Sequence, residues 1–145
     1  MTSTVDAALQ AALGVSHQMV YGYGLAAAHL SGRPYAAALA ALADTETRRD
    51  RLADLLRGRG QVPAAAAPAY LPPGPVNSPA TATALCLRLE HAAEGAAWDL
   101  VAAGAPGDDV RALGVRWLGV AAVRAAQWAG PAAAPAEPAL PGQPA

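Results

Sequence analysis

The chain has 145 residues, a formal net charge of −1 and a hydrophobic fraction of 54%, whereas charged residues make up only 14%. This length suits one domain, and the near-neutral charge offers no general attraction for nucleic acid or for an anionic membrane surface. The single cysteine, Cys86, excludes an internal disulfide. The first residues do not resemble a secretory leader, and no uninterrupted apolar stretch reaches membrane-spanning length. We therefore expect a cytoplasmic protein that binds neither nucleic acid nor membranes.

Two helices are predicted in the first half of the chain. The first begins near Ser3, in a sequence that resembles a capping box, and ends at about Ser31, just before a glycine. The second begins around Pro34, whose fixed φ suits a first helical turn, and ends at Arg57. Residues 59–77 carry five prolines and show neither a helical nor a strand pattern. They therefore predict a long connection.

Two further helices are predicted after this connection. Ser78 is the expected N-cap of the third helix, because a proline follows it at the first helical position. Asp108 or Asp109 is expected to cap the fourth helix, which reaches Ala129 before a glycine and a proline end it.

The lengths of the connections predict how the helices are arranged. Short turns make the first and last helix pairs antiparallel neighbours. The long connection, extended at ~3.1 Å per residue, can cross a helix of ~36 Å, so the second and third helices are parallel. The predicted fold is an all-α four-helix bundle of ferritin-like connectivity over residues 3–130, with one long crossover between helices two and three. Residues 131–145 are rich in proline and alanine and predict a disordered tail.

Each predicted helix has an apolar face that polar residues interrupt near its middle. With the crossover arrangement these interruptions fall within about one helical turn of the same height, so we expect them to form a buried polar layer. Its expected ion pairs are Glu90 with Arg124 and Glu46 with Arg49. The predicted layer comprises Ser16, His17, Glu46, Arg49, Glu90 and Arg124.

Ferritin-like proteins hold two metal ions at this height, on carboxylates and Glu-x-x-His motifs. No Glu-x-x-His occurs in the chain, and Arg49 stands three residues after Glu46. The fourth helix offers Arg124 but no carboxylate at that height. Two carboxylates beside two guanidinium groups balance at zero charge, so the sequence favours salt bridges over a metal site and predicts no cofactor.

Several segments carry a family resemblance. Tyr21, Gly22, Tyr23 and Gly24 follow His17 closely. The other segments are Arg48-Arg49-Asp50, Pro68-Ala69-Tyr70-Leu71-Pro72, Leu89-Glu90, Asp99-Leu100-Val101-Ala102 and Val123-Arg124-Ala125-Ala126 with Trp128. Together, over about residues 7–130, they resemble the uncharacterised ferritin-like domain of unknown function found in actinobacteria. The resemblance implies a ferritin-like bundle of undefined activity. Ser16 stands where that pattern has an acidic residue, which removes another possible ligand.

The first function hypothesis is a non-enzymatic bundle that forms a homodimer or binds a protein partner. The small side chains of the helix faces suit helix pairing. Apolar residues that fall outside the core stripes also support this hypothesis. They are Val15, Met19, Leu25 and Leu118.

The alternative is a small-ligand or metal-binding protein with oxidase-type chemistry. His91 and Glu94 lie one helical turn apart and suit a surface metal, although an ordinary solvated helix face also explains them. No hydrolase, nucleotide-binding or zinc motif occurs in the sequence, so an enzymatic activity stays open but unsupported.

Overall fold

The computed structural model describes residues 3–130 and contains four α-helices in this part of the chain. They are α1 over Thr4–Ala27, α2 over Gly32–Gly58, α3 over Pro79–Ala103 and α4 over Asp109–Ala129. The described residues contain no strand, so the predicted all-α fold with four helices is confirmed. The tail predicted at 131–145 lies outside the described residues.

Side chains next to the helix starts satisfy backbone amides that a helix leaves unpaired. At α1, Ser3 Oγ accepts from the amide of Asp6, and the Asp6 carboxylate accepts from the amide of Ser3. Ser78 and Thr81 form the same kind of capping box at α3. Asp108 caps α4. These three starts agree with the prediction, because a cap depends only on residues within one turn.

The turn between α1 and α2 differs from the prediction at both of its ends. α1 ends at Ala27, four residues before the predicted Ser31, and α2 begins at Gly32 instead of Pro34. Gly32 has a φ of 60°, a left-handed conformation that glycine adopts without a steric penalty. The chain therefore reverses earlier than the helical pattern suggests.

Two clusters of packed side chains, one at each end of the bundle, define the helix directions. Tyr23, near the end of α1, lies in the same cluster as Cys86, near the start of α3. At the other end, Leu9 near the start of α1 lies in the same cluster as Leu56 near the end of α2 and Val110 at the start of α4. α2 and α3 are therefore parallel to each other and antiparallel to α1 and α4, as the connection lengths predict.

The crossover of residues 59–78 is bound along α1. The Gln10 side chain donates to the carbonyl oxygen of Val62 at 2.7 Å and accepts from the amide of Ala64 at 3.0 Å. His17 Nε2 lies 2.9 Å from the carbonyl oxygen of Ala64. These side chains fix the path of the crossover over the outside of α1.

The helices are not equally close to one another. α1 packs against α2 and α3, and α3 packs against α4, whereas α2 and α4 meet mainly through long side chains. This leaves an opening between α2 and α4. Within residues 3–130, none of the helices has both the length and the apolar character that crossing a bilayer requires.

Candidate functional site

A buried carboxylate lies at the centre of the bundle. Glu90 of α3 is fully buried, as predicted, and accepts a hydrogen bond from the hydroxyl of Tyr23 on α1. Trp128 of α4 donates its indole N–H to the same hydroxyl oxygen at 3.2 Å. Glu90 Oε2 has no hydrogen-bond partner among the described residues. Burial raises the pKa of Glu90, although the hydrogen bond from Tyr23 and the charges of Arg124 and Arg48 oppose this shift.

The cation buried near this carboxylate is Arg48. Its side chain is only 6% exposed, and its guanidinium carbon lies 5.2 Å from the centroid of the Trp117 ring, a cation–π arrangement. Arg48 Nη2 lies 3.8 Å from Asp44 Oδ2, which is too far for a hydrogen bond. Neither Nε nor Nη2 has a hydrogen-bond partner among the described residues. Burial lowers the pKa of Arg48, so keeping this guanidinium charged in the folded chain costs free energy.

Arg48 lies at the base of the cleft between α2 and α4. The cleft has a volume of about 360 Å³. Arg51 of α2 and Arg116 of α4 line it as exposed side chains. The only carboxylate in its lining is Asp44, which accepts a hydrogen bond from Arg124 at 2.9 Å. The cleft therefore carries an excess of positive charge, and its least exposed cation has unused donors.

A small void lies on the inner side of Arg48. Its volume is about 10 Å³, comparable with the space that one water molecule requires. Ser16 borders this void, as predicted for a residue of the buried layer, and donates its hydroxyl to the carbonyl oxygen of Ala12 at 2.9 Å. Arg48 and Trp117 line both the void and the cleft.

On α2 the prediction of the buried residues is wrong. Glu46 is exposed, and Arg49 is 31% exposed and pairs with the neighbouring Asp50 at 2.9 Å. The residues that face the core are instead Thr45 and Arg48. In the middle of α2 the buried positions thus lie one residue, or about 100° around the helix, before the predicted ones, whereas Leu52 and Leu56 further along remain in the core.

The other predicted pair is also rearranged. Arg124 donates to Asp44 and forms no direct salt bridge with Glu90, although its charge lowers the pKa of that carboxyl. His17 is half-buried and bonds to the crossover, so it lies outside the polar centre. Of the six predicted residues, Ser16 and Glu90 are buried, and Arg124 approaches the centre from its edge.

Glu94, expected on a solvated helix face, is also buried. It follows Glu90 by four residues, so both carboxylates lie on the inner face of α3, and the charge of Glu94 adds to the rise in the pKa of Glu90. His91 is exposed, as the prediction of a solvated face requires. The i, i+4 spacing from Glu90 was the sequence signal that could have placed Glu94 in the core.

The motif of Tyr21, Gly22, Tyr23 and Gly24 has one tyrosine on the inner side of α1 and one on its outer side. Tyr23 is fully buried, whereas Tyr21 is partly exposed on the outside of α1. Gly22 is buried against Leu89 of α3, where an added Cβ would lie 2.7 Å from a methyl carbon. The motif therefore combines a close contact between α1 and α3 with one inner and one outer tyrosine.

The residues at mid-height do not fit a di-metal centre. Among residues 3–130, no group of three histidine, cysteine, aspartate or glutamate side chains could hold a metal ion. The buried carboxylate of Glu90 lies within the fields of Arg48 and Arg124, and a metal dication would be repelled by these fixed cations.

The crystal structure of a conserved hypothetical protein, rv2844, from Mycobacterium tuberculosis is similar to this chain, with a TM-score of 0.81 and 33% sequence identity. The match covers 86% of this chain and 94% of that chain. Comparison with curated proteins gives no match. A family model described as a domain of unknown function, DUF4439, matches residues 8–145. Because that match covers most of the chain, the protein belongs to the DUF4439 family.

Proposed function

We propose that this protein is a non-enzymatic helical bundle that binds a small organic anion in the cleft between α2 and α4. The observation that carries the proposal is the state of Arg48, a guanidinium only 6% exposed whose Nε and Nη2 have no hydrogen-bond partner among the described residues. Leaving a buried donor without a partner costs about 1–3 kcal/mol, and more for a charged group. Both atoms are buried, so Arg48 has to shift slightly towards the cleft before an anion can accept from them and recover part of that cost.

The cleft favours a carboxylate or a phosphate joined to a small organic body. A guanidinium presents its donors in a plane that matches two oxygens of either group. Arg51 and Arg116 add positive charge at the mouth, while Trp117 and Val120 supply apolar surface for the rest of the ligand. A cleft of about 360 Å³ lies within the range of small-molecule sites.

Thermal unfolding in the presence of anions tests this proposal. Millimolar inorganic phosphate or succinate should raise the Tm of the full chain, because a ligand that binds only the folded state stabilises it. Arg48→Met keeps the length of the side chain but removes its donors and charge, and should weaken binding at least tenfold. Arg57→Gln is the matched control, because Arg57 lies on the same helix outside the cleft and pairs with Asp54. Unchanged binding by Arg48→Met, or no Tm shift with either anion, would refute the proposal.

Self-association through α4 is a second candidate, which a specific surface supports. The outer face of α4 lies about 180° from the core-facing Val110, at 100° per residue, and carries no polar side chain. Val115 and Val123 are 58% and 59% exposed on either side of Gly119. The exposed residues of this face are Ala112, Val115, Gly119, Val123 and Ala126.

A second copy of the chain is the partner that we propose for this face. An added Cβ at Gly119 would meet no atom within 4 Å, so another helix can approach closely there. A two-fold axis at Gly119 would bring each Val115 against the partner's Val123, giving a self-complementary contact. Met19, one of the four apolar residues expected to support helix pairing, is instead fully buried and is not part of a surface.

Sedimentation equilibrium distinguishes a dimer from a monomer. The parent chain should form a dimer, and Val115→Glu combined with Val123→Glu should give a monomer, because the charges oppose each other across the two-fold axis. Val62→Glu, at an exposed position of the crossover, should leave the mass unchanged. A monomeric parent chain at high protein concentration would exclude this candidate.

We also propose that the bundle is ferritin-like in origin and has lost the di-metal chemistry of that group. The parallel α2 and α3 with one long crossover support the relationship, and the positions of Arg48 and Arg124 beside Glu90 argue against metal-dependent oxidase chemistry. Stoichiometric iron or manganese in protein purified without chelators would contradict this. A cytoplasmic location stays a prediction.

A further inference from the structure

We infer that the groove between α1, α3 and the crossover is a second binding site, which takes a small amphipathic carboxylate with an aliphatic chain. The groove is separate from the cleft between α2 and α4 and has a volume of about 390 Å³. Its walls are aromatic and aliphatic apart from Gln18, and Arg88 is the only charged residue among the described residues that line it. One cation in an apolar groove matches a ligand with one acidic group and an apolar body.

The crossover builds the outer wall of this groove. Tyr70 packs the edge of its ring against Tyr21 of α1, with 5.9 Å between the ring centroids. The hydroxyl oxygen of Tyr70 accepts a hydrogen bond from the amide of Ala67 at 2.9 Å, which holds the ring in place. The inner wall forms where Gly22 allows Leu89 to pack directly against α1. The groove is therefore shaped before any ligand binds.

Arg88 is placed to bind the acidic group. It is exposed on α3 and has no hydrogen bond or ion pair with any residue in the described range. A second depression of about 300 Å³ continues along α3 towards its start and shares Leu85 and Arg88 with the first. The guanidinium thus lies where the two depressions join, and the combined groove is elongated enough for an extended chain.

The apolar part of the ligand must supply most of the affinity. An exposed guanidinium paired with a carboxylate contributes little in water. The groove offers the apolar surface of Tyr21, Leu85 and Leu89. Leu71 borders it and is 96% exposed, so an aliphatic chain in the groove would partly cover this side chain. Both parts of the ligand are therefore needed together.

Titration calorimetry with decanoate and the full chain tests this inference. Decanoate below its micellar concentration should bind, and the neutral decanol should bind roughly two- to fivefold more weakly, the range that an exposed ion pair contributes. Arg88→Gln should weaken decanoate binding by about the same factor. Arg57→Gln is the matched control, because Arg57 is exposed and lines neither this groove nor the cleft between α2 and α4, and the change should leave decanoate binding unchanged.

A blocking variant gives an independent readout of the same site. Ala92 is exposed and lines the groove, so Ala92→Trp should fill the groove and abolish decanoate binding while the Tm without ligand stays within a few degrees of the parent value. If Ala92→Trp fails to fold, Arg88→Gln decides the question alone. Equal losses in Arg88→Gln and Arg57→Gln, or no decanoate binding by the parent chain, would overturn the inference. Neither result depends on phosphate or succinate binding between α2 and α4.

Discussion

Tyr23 donates its hydroxyl hydrogen to Glu90 across the interface of α1 and α3 and accepts the indole N–H of Trp128 from α4. One hydroxyl group therefore links three helices at the centre of the bundle. This is the only hydrogen bond that Glu90 makes within the described residues, because its second carboxylate oxygen has no partner there. The hydroxyl of Tyr23 therefore supplies the hydrogen bond that the buried Glu90 carboxylate needs.

Tyr23→Phe should destabilise the bundle. Removing the hydroxyl leaves Glu90 without a hydrogen bond in the core, which should lower the unfolding free energy by about 1–3 kcal/mol. Urea unfolding measures this loss. The same substitution at Tyr21, whose ring is partly exposed, should change the unfolding free energy by less than about 0.5 kcal/mol. Equal effects at the two positions would show that the bond to Glu90 contributes nothing.

Glu90→Gln should change how stability depends on pH. Burial raises the pKa of Glu90 above its unfolded value of 4.5, so the native chain holds this proton more tightly than the unfolded chain. The stability that results is complete below pH 4.5 and is lost as pH rises through the native pKa. Glutamine does not titrate, so the variant does not lose this stability. Between pH 4.5 and the native pKa its unfolding free energy should therefore rise relative to that of the parent, by up to about 1.4 kcal/mol per pH unit.

Urea unfolding at a series of pH values measures this difference. Glu46→Gln is the matched control, because Glu46 is an exposed carboxylate. Its difference from the parent should stay nearly flat over the same range. The raised pKa would be contradicted if the difference in unfolding free energy between Glu90→Gln and the parent stayed constant, or if the variant became less stable than the parent as pH rises.

Two glycines of α4 should respond in opposite ways to alanine. At Gly114 an added Cβ would lie 2.9 Å from the carbonyl oxygen of Ala97 and 2.9 Å from the amide nitrogen of Val101. Backbone atoms cannot move aside easily, so Gly114→Ala should cost about 1–3 kcal/mol. At Gly119 the added Cβ meets open space, so Gly119→Ala should stabilise the monomer by roughly 0.5–1 kcal/mol through helix propensity. Thermal unfolding at low protein concentration compares them, and a stabilising Gly114→Ala would mean that α3 and α4 pack less closely.

Cys86 should be inert in the folded protein. Burial, with a contribution from the charge of Glu90, raises the pKa of its thiol to about 12. The thiolate is the reactive form, and at pH 8 it is then on the order of 1 in 10,000 of the total. Ellman's reagent should therefore label native Cys86 at least 100-fold more slowly than the urea-unfolded chain. Comparable labelling rates would show that the start of α3 opens readily.

The local features of the fold could be predicted because they depend on residues close in sequence. The capping boxes at Ser3 and Ser78 each need only four consecutive residues, and both occur in the structure. The parallel arrangement of α2 and α3 follows from the length of the proline-rich connection alone. The burial of Glu90 could also be predicted, since Cys86, Ala93 and Ala97 surround it on its face of α3.

The inner face of α2 could not be predicted in the same way. Arg48 and Arg49 are adjacent and have similar propensities, and the alanines before them have no strong periodicity. Arg48 faces the core because Trp117 of α4 presents its ring there. That ring is 69 positions away in the chain, so no local pattern around α2 contains the information.

The sequence by itself determined the number of helices, most of their ends and the direction in which each one runs, because caps, proline positions and connection lengths act over short distances. Only the tertiary structure decided which charges are buried and which clefts stay open. A charged side chain is buried or exposed according to the neighbours that other helices supply, and those neighbours are fixed only when the helices pack. The unsatisfied donors of Arg48 and the apolar groove beside Arg88 are both consequences of that packing.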